Sequence, residues 1–373
     1  MSIWLRKAAA PLVAVIILSV PAVSSCVDRR ETPPGGPANI ILFIGDGMGI
    51  AHLTAARIAC GKLHMERFEV AGLLTTWSSD ELVTDSAASA TAMATGVKTR
   101  NGSISVDPGG TPLRTVIELA EERGMRTGLV SLCSVTHATP AAFASHVADR
   151  DDNLEIARQM ALGGVDVLIG GGLEYFLPAT AGGSARTDTC DPMAALRERM
   201  AVVTSIDELR ESGGKGPVAA FLAQNHPGPV GERDYTLAEL TDIAVTALSS
   251  RGNGFFLMVE GSQIDWEAHD NNAGGVVLET VDFDRAVGAG LDFAEKNGRT
   301  LVIVAADHET GGFALLGGSL QRAEISSYDF STEGHTASMV PLLAFGPNAE
   351  DFGGIHDNAW LGGKLISLIG FGK

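Results

Sequence analysis

Positive charge and cysteine are both scarce in this sequence. Its 373 residues hold 27 Lys and Arg against 45 Asp and Glu, a formal net charge of −18. That balance excludes nucleic-acid binding as the main business of the protein. The four cysteines, Cys26, Cys60, Cys133 and Cys190, exclude a disulfide scaffold, and their spacing fits no cysteine-based zinc motif. Long apolar runs are lacking too, save one near the N-terminus. There Arg6 and Lys7 precede the apolar stretch Ala8–Val20 and the small-residue tract Val23-Ser24-Ser25-Cys26. This stretch is too short to read as a spanning helix and is expected to be a secretory signal over residues 1–25.

The tract ending at Cys26 has the form of a bacterial lipobox, in which the cysteine is lipidated and becomes the mature N-terminus. The alternative is cleavage by an ordinary signal peptidase nearby. Residues 26–37, with Pro33-Pro34-Gly35-Gly36-Pro37, then read as a flexible tether between membrane and domain. The expected location is the cell envelope, periplasmic or lipid-anchored. With Cys26 lipidated, the other three cysteines allow at most one intramolecular disulfide.

What is present in quantity is apolar sequence, 45% of the chain. It is arranged in short continuous runs: Ile40–Ile44 before Asp46, Phe255–Val259 before Glu260, and Leu301–Ala306 before Asp307. Runs of this kind are expected of parallel strands buried on both faces. Thr127–Leu132 and Val165–Ile169 are further strands by the same reading. Leu113–Arg123, Leu154–Ala161, Leu237–Ser250 and Val276–Ala294 have helical length and spacing. The segment 170–225 is read as a connection plus one more α/β layer. Alternation of strand and helix predicts an α/β fold, a doubly wound and mainly parallel sheet in an α/β/α sandwich. Ligands of such sheets bind beyond the carboxyl ends of the strands, where the three acids would meet.

Other segments add metal-binding chemistry. Asp265 and His269 stand four residues apart, on one face if that stretch is helical, with Glu260 just upstream. An ordinary surface pair would share that spacing. Asp307-His308 adjoins a strand end and the turn-rich Glu309-Thr310-Gly311-Gly312. His335 alone is a weak signal. In Val83-Thr84-Asp85-Ser86-Ala87-Ala88-Ser89-Ala90-Thr91-Ala92, Ser86 opens a helix of small residues. A nucleophile favoured by the helix dipole and a plain helix cap fit that pattern equally well.

Together, Phe43-Ile44-Gly45-Asp46-Gly47-Met48-Gly49, the Thr84–Ala92 segment, His137-Ala138-Thr139-Pro140, Val259–Asp265, Ala306-Asp307-His308-Glu309 and His335-Thr336 resemble alkaline phosphatases, in the family's order from about Asn39 to Pro347. The resemblance implies one domain over residues 38–373 that hydrolyses phosphate monoesters through a phosphoserine at Ser86. It implies two Zn2+, one on Asp265, His269 and His335, the other on Asp46, Asp307 and His308. One Mg2+, in a site that would also accept Zn2+, would share Asp46 and take Thr139 and Glu260, with His137 beside it. Arg150 would be the phosphate clamp. By residue pattern alone it is a surface charge in an acidic loop.

At two places the sequence departs from the enterobacterial pattern, which has an aspartate where His137 stands and a lysine at Trp266. Both changes are expected to weaken the third cation site or the grip on product phosphate. The interval from His308 to His335 is too short for the large insertion that caps some dimers of the family, so that crown is expected to be reduced or absent. A homodimer, frequent in the family, is compatible with the sequence but not secured by it. A sulfatase would need a Cys/Ser-x-Pro-x-Arg motif that this sequence lacks, phosphodiesterases of the superfamily usually lack the Asp85–Ala92 run and the clamping arginine found here, and a non-catalytic zinc- or phosphate-binding protein would not need Ser86. His52, His64, His146, His226 and His356 are expected to be surface or core residues.

Overall fold

The computed structural model describes residues 36–250 and 253–371. The signal segment, Cys26 and nearly all of the tether lie outside them. Among the described residues no helix is long and apolar enough to cross a membrane.

Eight strands come first in the chain: β1 (Asn39–Gly45), β2 (Val70–Thr75), β3 (Arg126–Ser134), β4 (Val167–Gly171), β5 (Ala201–Val203), β6 (Val218–Phe221), β7 (Phe255–Gly261) and β8 (Thr300–Ala305). Four short or exposed strands follow: β9 (Glu309–Thr310), β10 (Phe313–Ser319), β11 (Glu324–Phe330) and β12 (His335–Thr336). Then come β13 (Val340–Phe345) and β14 (Gly354–Asp357). Ten of these form one sheet in the order β14-β2-β13-β8-β1-β7-β3-β4-β6-β5. Only β13 runs antiparallel to its neighbours.

Every residue of β1, β7 and β8 is buried, which requires cover on both faces of the sheet. Helices 237–249 and 273–297 pack on each other and on the sheet, while helices 86–95, 116–122, 138–144 and 358–366 form a second group. Each wholly buried Ile, Leu or Phe of the central strands contributes about 1.5–3 kcal/mol. These are the runs legible in the sequence, and the predicted sandwich is the observed one.

Boundaries moved where local chemistry outweighs periodicity. The helix expected from Leu113 begins at Val116, because Thr115 caps it in a reciprocal pair with Glu118. The helix expected over 276–294 runs from Ala273 to Asn297, capped by Asn272 and stopped by left-handed Gly298. The segment 170–225 is not another layer. Its β6 and β5 extend the main sheet at its edge.

In place of a crown, β10 and β11 make a hairpin. Phe313 and Phe330 stack at 4.5 Å, and Phe313, Leu315, Ile325 and Phe330 seat the hairpin on Ala55 of helix 50–60 and Val276 of helix 273–297. Its outer residues Leu316, Leu320 and Tyr328 remain exposed.

Candidate active site

Three adjacent strands fix the acids at one edge of the sheet. Ile44 of β1 is in register with Glu260 of β7 and with Ala305 of β8. Asp46 directly follows β1, and Asp307 lies two residues beyond β8. Glu260 differs from expectation: it lies inside β7, one residue before the strand ends, because pairing with β1 and β3 continues through it. All three acids are fully buried.

Helix 263–269 supplies Asp265 and His269, whose Nε2 stands 3.2 Å from Asp265 Oδ2. His335, on β12, brings Nε2 to 3.2 Å from His269 Nε2 and 3.6 Å from Asp265 Oδ1. His308 Nε2 lies 3.2 Å from Asp307 Oδ2 and 3.5 Å from Asp46 Oδ1. Asp46, Asp307 and His308 form one set of converging ligand atoms, Asp265, His308 and His335 a second, and Cys133, His137 and Glu260 a third.

The hydrogen bonds around these groups leave lone pairs aimed inward. His269 Nδ1 bonds to Glu333 O and His335 Nδ1 to Thr84 O, so each ring, when neutral, carries its proton on Nδ1. Two Nε2 lone pairs then face each other beside a carboxylate, an arrangement that only a cation or a proton relieves. Asp307 Oδ1 accepts from Gly47 N and His308 N, both at 3.0 Å, while Oδ2 has no hydrogen-bond donor. Both carboxylate oxygens of Asp46, Glu260 Oε1 and Thr139 Oγ1 are likewise buried without one. Buried polar atoms are nearly always satisfied, so this concentration of exceptions fits divalent cations. Gly47 belongs to the same design: its φ is +69°, and a Cβ there would lie 2.8 Å from Asp265 Oδ1.

Protonation follows from this crowding. Burial pushes the Asp46 carboxyl well above its usual range, and Asp307, Asp265 and Glu260 push it further. Burial also raises Glu260 to about 7 and, with Asp265 adding to it, Asp307 to about 6. Asp265 goes the other way: burial opposes its ionisation, but the His269 hydrogen bond and the neighbouring His308 and His335 hold it below the usual range. The same bond to Asp265 raises His269 to about 9. Burial, then Arg150 and His226, lower His137 to about 3, so that imidazole is neutral.

Asp85 caps helix 86–95 by accepting from Ala88 N at 2.9 Å. The cap role therefore falls to Asp85, which leaves Ser86 free as the first residue of the helix. Ser86 Oγ lies 3.2 Å from His308 Nε2, at the ligand cluster. The small residues of this helix are all buried, and helix 358–366 packs so closely that a Cβ on Gly362 would meet Ala92 O at 2.3 Å. Arg150 is not a free surface charge. Its Nη1 pairs with Asp85 Oδ2 at 3.0 Å and its Nη2 lies 3.2 Å from His137 Nε2.

Several groups at the site had no role in the sequence reading. Thr310 Oγ1 donates to Asp265 Oδ1 at 2.5 Å and lies 3.2 Å from His308 Nδ1. The hydroxyl thereby holds the His308 proton on Nδ1 and leaves its Nε2 lone pair facing Ser86 and the acids. His226, expected to be of no account, accepts from Ser134 N at 2.9 Å, and its ring lies 4.8 Å from that of Trp266 and 5.8 Å from that of His137. Cys133 is buried with its Sγ 3.3 Å from Glu260 Oε2. No disulfide joins the three described cysteines. Nothing in local sequence announces these contacts, because strand register and loop return create them. His52, His64, His146 and His356 serve local packing or hydrogen bonds, as expected: His52 accepts from Gly49 N, and His146 bridges Ser105 O and Glu118.

Known proteins share this fold and sequence. The family profile described as alkaline phosphatase matches residues 37–328. The streptomycin-6-phosphate phosphatase of Streptomyces griseus is 35% identical over an alignment covering 98% of each chain. The alkaline phosphatase of Escherichia coli K12 is 32% identical over 91% of this chain and 88% of its own. Among solved structures, the alkaline phosphatase of the Antarctic bacterium TAB5 superposes with a TM-score of 0.83 at 37% identity, covering 91% of this chain and 99% of that one. A variant of the TAB5 enzyme with a histidine replaced by aspartate has Mg bound in its M3 site. A buried edge of acids and imidazoles around a helix-opening serine, in a fold and sequence matched along nearly the whole chain, leaves one conclusion: this chain belongs to the alkaline phosphatase family and hydrolyses phosphate monoesters.

Proposed function

We propose that Ser86 is the nucleophile, attacking the phosphorus of a phosphate monoester in line with the leaving oxygen, and that water then hydrolyses the resulting phosphoserine. Asp265, His269 and His335 would hold one zinc, and Asp46, Asp307 and His308 the other. A third cation, magnesium or zinc, would sit among Asp46, Thr139, Glu260 and His137. When bound, the cations offset the phosphate charge, favour the Ser86 alkoxide and stabilise the leaving oxygen.

The chain's own residues do the positioning. Ser86 opens helix 86–95, so the positive end of the helix dipole favours both an anionic Oγ and a phosphate beside it. Asp85 serves twice, capping that helix and orienting Arg150, whose guanidinium fork matches two phosphate oxygens. Thr310 keeps the His308 proton away from Ser86.

The observation that carries this reading is the pair of imidazole Nε2 atoms facing each other at 3.2 Å beside Asp265, with Ser86 Oγ within reach of the adjoining cluster. The test is hydrolysis of a chromogenic monoester at alkaline pH, with and without chelator, alongside a metal count. Ser86→Ala is expected to lose on the order of 10⁴-fold or more in kcat while keeping its metals. Retained hydrolysis would contradict the mechanism, and a wild-type protein that binds metal without hydrolysis would be a scavenger of zinc or phosphate.

We also infer an exported protein with a signal over residues 1–25, a lipid on Cys26, a tether to residue 37 and a phosphatase domain from 38 onward, for which a homodimer is the arrangement to test. Fatty-acid labelling that survives Cys26→Ala would end the lipoprotein reading, and light scattering at the monomer mass would end the dimer.

A further inference from the structure

β3 sets Ser131 beside Glu260 on β7, and its pairing with β4 is irregular between Val130 and Ser134. The strand thereby brings the Cys133 thiol to the acid: Sγ lies 3.3 Å from Glu260 Oε2, and both residues are fully buried. Cys133 Sγ, a ring nitrogen of His137 and a carboxylate oxygen of Glu260 lie within 4.8 Å of one another. Around them His137 Nδ1, Thr139 Oγ1 and Glu260 Oε1 are buried with no hydrogen-bond partner. A buried polar atom left without a partner is destabilising, so three at one place point to a ligand.

The spacing suits a single ion. Metal–sulfur distances of about 2.3 Å and metal–oxygen distances of about 2.0–2.2 Å place two ligands of one ion about 3.1–3.6 Å apart. Donor chemistry then decides which ion. Magnesium demands oxygen ligands in an octahedron and gains little from sulfur. Zinc, cadmium and cobalt bind thiolate and imidazole together.

We propose that the third cation pocket of this chain is a sulfur-bearing site, with Cys133 Sγ and Glu260 as ligands and His137 beside them, that takes a thiophilic dication, zinc first, and rejects magnesium. This rests on the reading above that cations occupy the cleft. On binding, the Cys133 S–H bond breaks and a sulfur–metal bond forms; that proton, and the one that Glu260 carries when neutral, leave to solvent. If His137 ligates through the unpartnered Nδ1, its proton sits on Nε2. That nitrogen no longer accepts from Arg150, whose Nη2 is released to phosphate.

Cobalt(II) tests the idea with a readout independent of activity. Metal-free full-length protein is titrated with Co2+ to three equivalents while visible d–d bands and the near-ultraviolet sulfur-to-cobalt charge-transfer band are recorded. The expected result is a charge-transfer band in the wild type that is lost in Cys133→Ser and Cys133→Ala and kept in Cys60→Ser and Cys190→Ser. The d–d bands of the remaining sites show that each variant still folds. Elemental analysis should find three zinc ions per chain in wild type under excess magnesium, and one magnesium in place of the third zinc in Cys133→Ser. Normal d–d bands without the charge-transfer band, or a band that persists in both Cys133 variants, would overturn the proposal. Absence of d–d bands in wild type would instead overturn the cation reading beneath it.

Discussion

The two halves of the cleft are built on different principles. On the side of Asp265, His269, His308 and His335, every imidazole has its Nδ1 engaged by a neighbour: Glu333 O, Thr310 Oγ1 or Thr84 O. Each ring is therefore oriented, before any ion arrives, with its Nε2 facing inward, and at His269 an arriving ion displaces the proton that Asp265 holds there. On the side of Cys133, His137, Thr139 and Glu260, the thiol bonds to the acid and His137 Nε2 is engaged by Arg150, while His137 Nδ1 is left free. Preorganisation on the first side favours tight binding of one kind of ion. The second side must exchange partners as it loads, so it is where this chain's own substitutions change which ion is held.

The largest effect that would test this contrast is the pH response of the metal-free protein. Burial raises Glu260 to about 7 and Asp307 to about 6, so the folded metal-free state holds these protons more tightly than the unfolded chain. A raised carboxyl pKa stabilises the fold at low pH. That contribution is lost as pH climbs from about 4, the unfolded value, through the folded values. Melting temperatures of the metal-free protein should fall across this window, while those of the zinc-loaded protein should not. Calorimetric zinc titrations in buffers of different ionisation enthalpy should show protons released near pH 6. A flat profile in the metal-free protein would remove the buried-acid argument.

Thr310 probes the preorganised half directly. Thr310→Val keeps shape but loses the hydroxyl between Asp265 and His308, and should weaken zinc binding by about 10–100-fold. Thr310→Ser should restore it. Equal zinc affinity in all three proteins, measured by competition with a chelating dye, would assign Thr310 to packing alone.

On the adaptable half the expected changes are smaller. His137→Asp adds a hard oxygen ligand and should raise magnesium affinity by roughly an order of magnitude, and more when combined with Cys133→Ser. An unaltered magnesium titration would show that this position does not govern the third ion. Trp266, half-buried with its ring 4.8 Å from that of His226, gives product phosphate no charge to hold. Trp266→Lys should tighten phosphate inhibition by about two- to fivefold, and an unchanged inhibition constant would dismiss the effect.

Legibility in the sequence cut across this division. The strand runs ending near Asp46, Glu260 and Asp307 were readable because a strand covered on both faces is apolar without interruption. Asp265 and His269 were readable because four residues make one helical turn. Ser86 was only half readable: the small-residue helix was plain, but nucleophile and helix cap fitted Ser86 equally well until the Asp85 bond to Ala88 N gave the cap to Asp85. Thr310, Cys133 and His226 carried no local signal at all. The β10–β11 hairpin was likewise unread, since it buries one face on a helix and leaves exposed apolar residues on the other.

By itself the sequence determined the sandwich, five of the ten strands of its main sheet, the acids near the strand ends and the Asp265–His269 spacing, because burial period and ligand spacing are local properties. Only the tertiary structure decided which nitrogen each histidine presents, how Asp85 and Arg150 join, and that a thiol on β3 stands against an acid on β7. Those depend on register between strands far apart in the chain, and no local pattern encodes a register.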